Sequence, residues 1–219
     1  MIKTTPFEMV FIIRVFMPTI HTLPLGDYQT NTYIVSGNGQ SCVLIDPGFE
    51  PQVILDKVAE LGWTVEAIFL THGHFDHVGA VEKIVAATGC TLWMHKADWD
   101  LPADPTNRYI YPLSGSSFTD ILFCGEGDKI QAAGLCFIVL CTPGHTPGSV
   151  CFLCEDHLFS GDTLFAGSCG RTDLPGGDLR AMRLSLRRLA VLDRPVTIYP
   201  GHGPTTTLRQ ERLSNPYLR

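Results

Sequence analysis

Charge is scarce in this sequence. Only 17% of its 219 residues are charged, and 22 acidic residues against 16 basic ones give a formal net charge of −6. No basic run occurs. The arginines from Arg180 to Arg188 fall at helical spacing and read as a solvated helix face, which excludes a nucleic-acid stripe. Long apolar runs are also missing. The stretch FEMVFIIRVFMPTI is broken by Glu8 and Arg14, is too short to span a bilayer, and has no small-residue cleavage pattern. Residues 1–16 therefore read as an N-terminal extension or edge strand, and the protein as cytoplasmic with no membrane partner. No linker or low-complexity tract divides the chain, so one domain over residues 1–219 is expected. A second CxxC is absent as well. Cys151 and Cys154 form the single pair, and in an extended strand they face opposite sides, unsuited to one zinc. The other six cysteines, Cys42, Cys90, Cys124, Cys136, Cys141 and Cys169, sit mostly in apolar runs, as buried free thiols of a reducing compartment do.

What is present is apolar patterning, with 45% hydrophobic residues. TNTYIVSGNGQSCVLIDPG reads as a hairpin around Gly-Asn-Gly. PQVILDKVAELG and HVGAVEKIVAATG read as helices ended by Gly62 and Gly89, and TVEAIFLT and CTLWMHK as strands. Residues 97–120, rich in Pro, Asp and Ser, read as a long loop with one helical turn, and residues 121–165 as a second sheet. DLRAMRLSLRRLAVL is an amphipathic helix with Asp178 as N-cap, PVTIYP a last strand, and TTTLRQERLSNPYL a short helix capped by a threonine.

Against this background one pattern stands out. AIFLTHGH, FIVLCTPGH and VTIYPGH each run from a strand into Gly-His, and HLFSGD runs into Gly-Asp. Glycine lets the backbone turn sharply and approach an ion. Strands pointing the same way would bring these ends to one face. His72 and His74 are two apart and project to one side of extended chain, and Asp76 and His77 follow where a helix begins. With His145, Asp162 and His202 they make seven metal-capable groups. Zinc takes four ligands, or three and a water, so seven suit two metals sharing a carboxylate. The set has no thiolate, which leans away from a structural zinc. His21, His95 and His157 lack such partners and read as structural or surface residues.

THGHFDH resembles the HxHxDH signature of the metallo-β-lactamase fold superfamily. TPGHTPGS, FSGDTLF and YPGHGPTT resemble its later motifs, in order, and LIDPG its early aspartate motif. Within the superfamily, the stretch from about residue 17 to 217 is most similar to the small glyoxalase II-like hydrolases, especially LFAGSCGRTDLPGGD and ERLSNPYL. The resemblance implies an αββα sandwich, two mixed sheets flanked by helices. It implies that His72, His74 and His145 hold a first metal, that Asp76, His77 and His202 hold a second, and that Asp162 bridges both. Asp76 would also be catalytic, and Asp46 would support the metal loop without binding metal. The implied cofactors are two divalent ions, zinc first, with iron or manganese as alternatives.

Two such ions with Asp76, Asp162 and a bridging hydroxide leave a positive site, suited to an anionic tetrahedral intermediate and able to polarise a carbonyl. No dedicated side-chain acid is evident, and a thiolate needs less protonation on leaving than an amine. The expected reaction is therefore hydrolysis of a small-molecule thioester, such as S-lactoylglutathione. Arg171 matches a family position that contacts the glycine carboxylate of glutathione, and reads equally as half of a surface salt bridge. Larger members add a C-terminal domain that grips glutathione. This chain ends at Arg219, soon after His202, so a broader thioester range is expected. Alternatives are a mono-iron persulfide dioxygenase using His72, His145 and Asp162, a lactonase, and a non-catalytic metal binder. A monomer or small homo-oligomer fits every reading.

Overall fold

The architecture follows from alternation along the strands. In a computed structural model, which describes residues 17–101 and 121–218, Thr30–Ser36 (β2) and Ser41–Ile45 (β3) form the expected antiparallel hairpin. The Asn38 carboxamide oxygen closes the turn by accepting from the amides of Gln40 and Ser41. Thr19–Leu25 (β1) pairs with β2 on its free edge, and Thr64–Phe69 (β4) and Thr91–His95 (β5) add in parallel beyond β3. On these strands Tyr33, Val35, Val43, Ile45, Ala67 and Phe69 point to one core, while Ile34, Cys42, Leu44 and Ile68 point to another. That period of two splits the first sheet into an inner and an outer face.

The second sheet is built from Lys129–Ala132 (β7), Leu135–Cys141 (β8), Val150–Cys154 (β9), His157–Gly161 (β10), Thr197–Pro200 (β13) and Thr206–Thr207 (β14), in the order β14-β13-β10-β9-β8-β7. A small hairpin of Leu164–Phe165 (β11) and Ser168–Cys169 (β12) projects from it. Its inner residues Phe137, Val139, Phe152 and Phe159 share the core of the first sheet. Phe69 and Phe137 meet edge to face across it, ring centroids 5.0 Å apart. The outer faces are covered by helices. Pro51–Glu60 (α1) and Val81–Thr88 (α3) bury Ile54, Val58, Val81 and Ile84 against the first sheet. Leu179–Ala190 (α5) buries Met182, Leu186 and Leu189 against the second, and Leu208–Ser214 (α6) adds Leu208. The result is the expected αββα sandwich. Asp178 caps α5, accepting from the amides of Arg180 and Ala181, and Thr207 caps α6. Cys151 and Cys154 lie in different cores, on opposite faces of β9, and are free thiols.

Two expectations need correction. Ile121–Cys124 (β6) does not open the second sheet but pairs in parallel with β5 at the edge of the first. Apolar alternation reveals a strand, not its partner, and the chain changes sheet only at the turn after Cys124, where Gly127 has φ 81°. The helix expected from His77 to Gly89 is broken into Phe75–Val78 (α2) and α3. The break packs on the Pro47–Gly48 loop. The Ala80 amide donates to the Pro47 carbonyl, and a Cβ on Gly48 would lie 1.7 Å from the Asp76 carbonyl oxygen. Lys96–Trp99 (α4) supplies the helical turn expected near residue 97. The N-terminal extension and most of the long loop fall outside the described residues.

Candidate metal centre

The strand ends do converge. Strands β8, β10 and β13 run the same way, and their C-terminal ends carry His145, Asp162 and His202 to the edge where β4 delivers His72 and His74. Two backbone bonds stitch the sheets together there, Val150 amide to Thr71 carbonyl at 2.8 Å and Asn31 amide to Gly201 carbonyl at 2.8 Å. Glycine is required at two of these ends. Gly161 has φ 48° and lies against the Thr71 side chain, while a Cβ on Gly201 would sit 2.2 Å from Asp162 Oδ1.

All seven expected residues meet in one place. Ligand atoms of His72, His74 and His145 lie within 4.8 Å of one another, and so do those of Asp76, His77 and His202. The Asp162 carboxylate lies between the two trios. Its Oδ1 is 3.4 Å from His77 Nε2, and its Oδ2 is 3.4 Å from His145 Nε2 and 3.6 Å from His202 Nε2. Asp46 lies behind them with φ 50°. It accepts from the Thr71 amide at 2.8 Å, the Thr71 hydroxyl at 2.6 Å and His77 Nδ1 at 2.9 Å. Although Asp46, His72 and His77 also form a close trio, the oxygens of Asp46 are occupied in holding the loop.

The tautomers follow from these bonds. The Thr71 hydroxyl donates to Asp46, so it accepts from His72 Nδ1 at 3.0 Å. His145 Nδ1 donates to the Arg171 carbonyl at 2.7 Å and His202 Nδ1 to the Tyr28 carbonyl at 3.1 Å. Each ring therefore directs Nε2 toward the centre, the arrangement that orients metal-binding imidazoles. Among the described residues, the buried Nε2 atoms of His72, His77 and His145, and Oδ1 of Asp162, have no hydrogen-bond partner. Unmade bonds on buried polar atoms are costly, and four of them around one point fit a cation. The donor set, imidazole and carboxylate, suits divalent transition ions.

Electrostatics divides the trios. Burial holds the imidazole of His72 well below its usual range, and burial with His145 nearby pushes His74 down to about 3, so both are neutral, ligand-ready rings. For His77 burial works the same way, but Asp162 and Asp46 outweigh it and raise the ring well above its usual range. Burial also disfavours charge on His202, and Asp76 and Asp162 override it. Conversely, burial disfavours charge on Asp162 and Asp76, yet His77 holds the first and His202 the second below the usual carboxylate range. The carboxylates that favour a proton on His77 and on His202 would equally favour a cation in the second trio.

Asp98, on α4, is a structural residue that sequence reasoning missed. Buried to 4% exposure, it accepts from the amides of Gly73 at 2.8 Å and Gly148 at 2.6 Å and from the Thr146 hydroxyl at 2.7 Å. It thus ties the loop of His72 and His74 to the loop of His145. Burial pushes its carboxyl up, against the pull of Thr146 and the two amides. A cavity of about 350 Å³ opens above the centre, walled by Tyr28, Phe75, Phe165, Leu174, Cys169 and Arg171. Arg171 is exposed and makes two bonds of 2.7 Å to Asp173, so the surface salt bridge is present and its guanidinium still borders the cavity.

The sequence profile described as metallo-beta-lactamase superfamily matches residues 25–202. The chain belongs to the metallo-beta-lactamase superfamily. It is 34% identical over 206 residues to the hydroxyacylglutathione hydrolase GloC of Haemophilus influenzae, covering 91% of this chain and 97% of that one. Among solved structures it resembles the BLEG-1 B3 metallo-beta-lactamase, with TM-score 0.81 and 35% identity over 91% of this chain and 99% of the other. TTHA1623 in a di-iron-bound form gives TM-score 0.78 and 42% identity over 90% of this chain and 100% of the other. As a member of this superfamily the protein is a metallo-hydrolase, with its His and Asp clusters at the metal edge of the sandwich. Among the described residues, no helix is long and apolar enough to cross a membrane.

Proposed function

We propose that this metallo-hydrolase is a binuclear thioester hydrolase of the cytoplasm, acting on small thioesters such as S-lactoylglutathione. The observation that carries this reading is the Asp162 carboxylate lying between the two trios, where the buried Nε2 atoms of His72, His77 and His145 have no hydrogen-bond partner among the described residues. His72, His74 and His145 would hold one divalent ion and Asp76, His77 and His202 a second, with Asp162 available to both. Zinc is the first choice, iron or manganese the next, and such ions supply water activation and carbonyl polarisation. A mono-iron dioxygenase needs only His72, His145 and Asp162, and leaves the buried Nε2 of His77 without a use.

The chain's own groups do the rest. Asp76 is kept ionised by His202 and accepts from Thr30, so it orients the attacking water without storing a proton. Asp46, through Thr71 and His77, fixes the rings that face the reaction. Asp76 and Asp162, both held ionised, are poor proton donors to a leaving group, and a thiol of pKa about 8.5 leaves without that help. The apolar walls Phe75, Phe165 and Leu174 limit water beside the acyl group. The similarity to a hydroxyacylglutathione hydrolase supports the glutathione carrier, with Arg171 at the rim to meet its carboxylate.

Metal analysis of the purified chain, paired with S-lactoylglutathione hydrolysis under nitrogen, tests the reading. Two divalent ions per chain and oxygen-independent cleavage are expected. Oxygen uptake with glutathione persulfide, one iron per chain and no thioester cleavage would overturn it.

A further inference from the structure

The arginines of α5 do not form a uniform solvated face. Arg188 is bound to Glu126, and nearby Arg212 donates to the carbonyls of Ala190 and Leu192. Arg183 and Arg187, one helical turn apart, have no hydrogen bond or ion pair among the described residues. Both border a cavity of about 390 Å³ between α5 and the C-terminal turn at Pro216–Leu218, with Leu186 in its wall and Tyr217 opposite. Among the described residues, the wall contains two guanidinium groups and no carboxylate, in a chain of net charge −6. Asp178, before α5, caps that helix, Glu211 accepts from Gly167, Thr206 and Asn215, and Asp193, after the helix, is not in the wall. Two like charges left together without a counter-charge repel each other and favour an anion between them.

This cavity adjoins the metal centre. Cys169, on the β11–β12 hairpin, is in the wall of both cavities. The two cavities therefore meet at Cys169, and a ligand with its reacting carbonyl over Asp162 would reach Arg183 and Arg187 by passing that residue. We propose that the cavity between α5 and Tyr217 is the subsite for the anionic far end of the substrate's thiol carrier, with Arg183 and Arg187 as its anchors. The inference rests on the thioester reading above and adds to it what the carrier must be: a thiol whose remote end bears anionic oxygens. Glutathione carboxylates and coenzyme A phosphates share that chemistry.

The test uses the metal-loaded full chain and one acyl group, lactoyl, on three carriers: glutathione, coenzyme A and the uncharged N-acetylcysteamine. In the double variant Arg183→Gln/Arg187→Gln, KM for an anionic carrier should rise about tenfold, as suits exposed guanidinium groups, with kcat within about twofold. The uncharged thioester should be cleaved as before. A rise on glutathione alone assigns carboxylates, and a rise on coenzyme A alone assigns phosphates. Unchanged KM for both anionic carriers, or an equal loss on the uncharged one, overturns the proposal. If the wild type cleaves none of the three, the thioester reading itself has failed. Calorimetry with S-methylglutathione and with coenzyme A then decides the subsite. Binding weakened about tenfold in the double variant supports it, whereas no binding, or equal binding by both proteins, sinks it.

Discussion

Replacing Asp98 tests whether the two halves of the metal edge are held together by one buried carboxylate. Its Oδ1 accepts from Gly148, and its Oδ2 accepts from Gly73 and the Thr146 hydroxyl. Asp98→Ala leaves two buried amides without an acceptor, while the Thr146 hydroxyl keeps Ser149 Oγ. At about 1–3 kcal/mol for each stranded donor, the loss is about 2–6 kcal/mol, a large share of a typical ~5–15 kcal/mol stability. Asp98→Asn is the finer probe, since it keeps the shape. If its oxygen stays on Gly148, its NH2 faces the Gly73 N–H, donor against donor. The Thr146 hydroxyl escapes that conflict by rotating, because it also bonds Ser149 Oγ at 2.7 Å. The cost is then one buried clash, about 1–3 kcal/mol. Gly148 cannot retreat easily, being so close that a Cβ there would lie 2.5 Å from Asp98 Oδ1. Urea unfolding with an unchanged slope measures the loss, and metal analysis reads the displacement of the loops of His72, His74 and His145. A D98N protein within about 0.5 kcal/mol of wild type, with full metal content, would refute the reasoning.

Asp162→Ala should lose the second ion and nearly all hydrolysis, and should harm activity more than His77→Ala, which removes a ligand from one trio only; two ions per chain in the Asp162 variant would count against the shared carboxylate. Arg171→Ala should raise KM for glutathione thioesters, up to about tenfold since the side chain is exposed and already bonded to Asp173, with little change in kcat; an unchanged kcat/KM would leave Arg171 as a surface residue. Metal uptake at neutral pH should release protons, because the surrounding carboxylates favour the protonated rings of His77 and His202, and a ring must lose its proton to bind. Affinity should therefore fall as pH falls, and an indicator dye that reads no proton release near pH 7 would show that these rings are already neutral.

The layers were legible because periodicity reports burial directly. The alternation in β2, β3 and β4 assigns Tyr33 and Val43 to one core and Ile34 and Leu44 to the other, and the helical spacing of Met182, Leu186 and Leu189 marks the face of α5. What periodicity does not encode is partnership. A four-residue strand such as β6 alternates in the same way in either sheet, and its pairing with β5 depends on a crossover whose turn residues fit many paths. The break between α2 and α3 was hidden for a related reason. It is imposed by the loop at Pro47 and Gly48, some thirty positions earlier, whose carbonyl takes the Ala80 amide.

The site divides along the same line. Residues that face the centre were legible because few roles other than metal binding place a histidine or aspartate after glycine at so many strand ends. Residues that act on the backbone leave no such mark. Asp98 meets two amides and a threonine, partners that any sequence offers, so only its burial reveals it. Arg183 and Arg187 read as solvated because Tyr217, which turns their helix face into a wall, lies some thirty residues downstream. The separation has a physical basis. The inward Nε2 atoms need particular residues, whereas the outward Nδ1 atoms need only an acceptor, and His145 and His202 find theirs in the carbonyls of Arg171 and Tyr28. Substitution at those two positions leaves the carbonyl in place, so the identity of the side chain at Arg171 is free to serve the substrate while its backbone serves the metal centre.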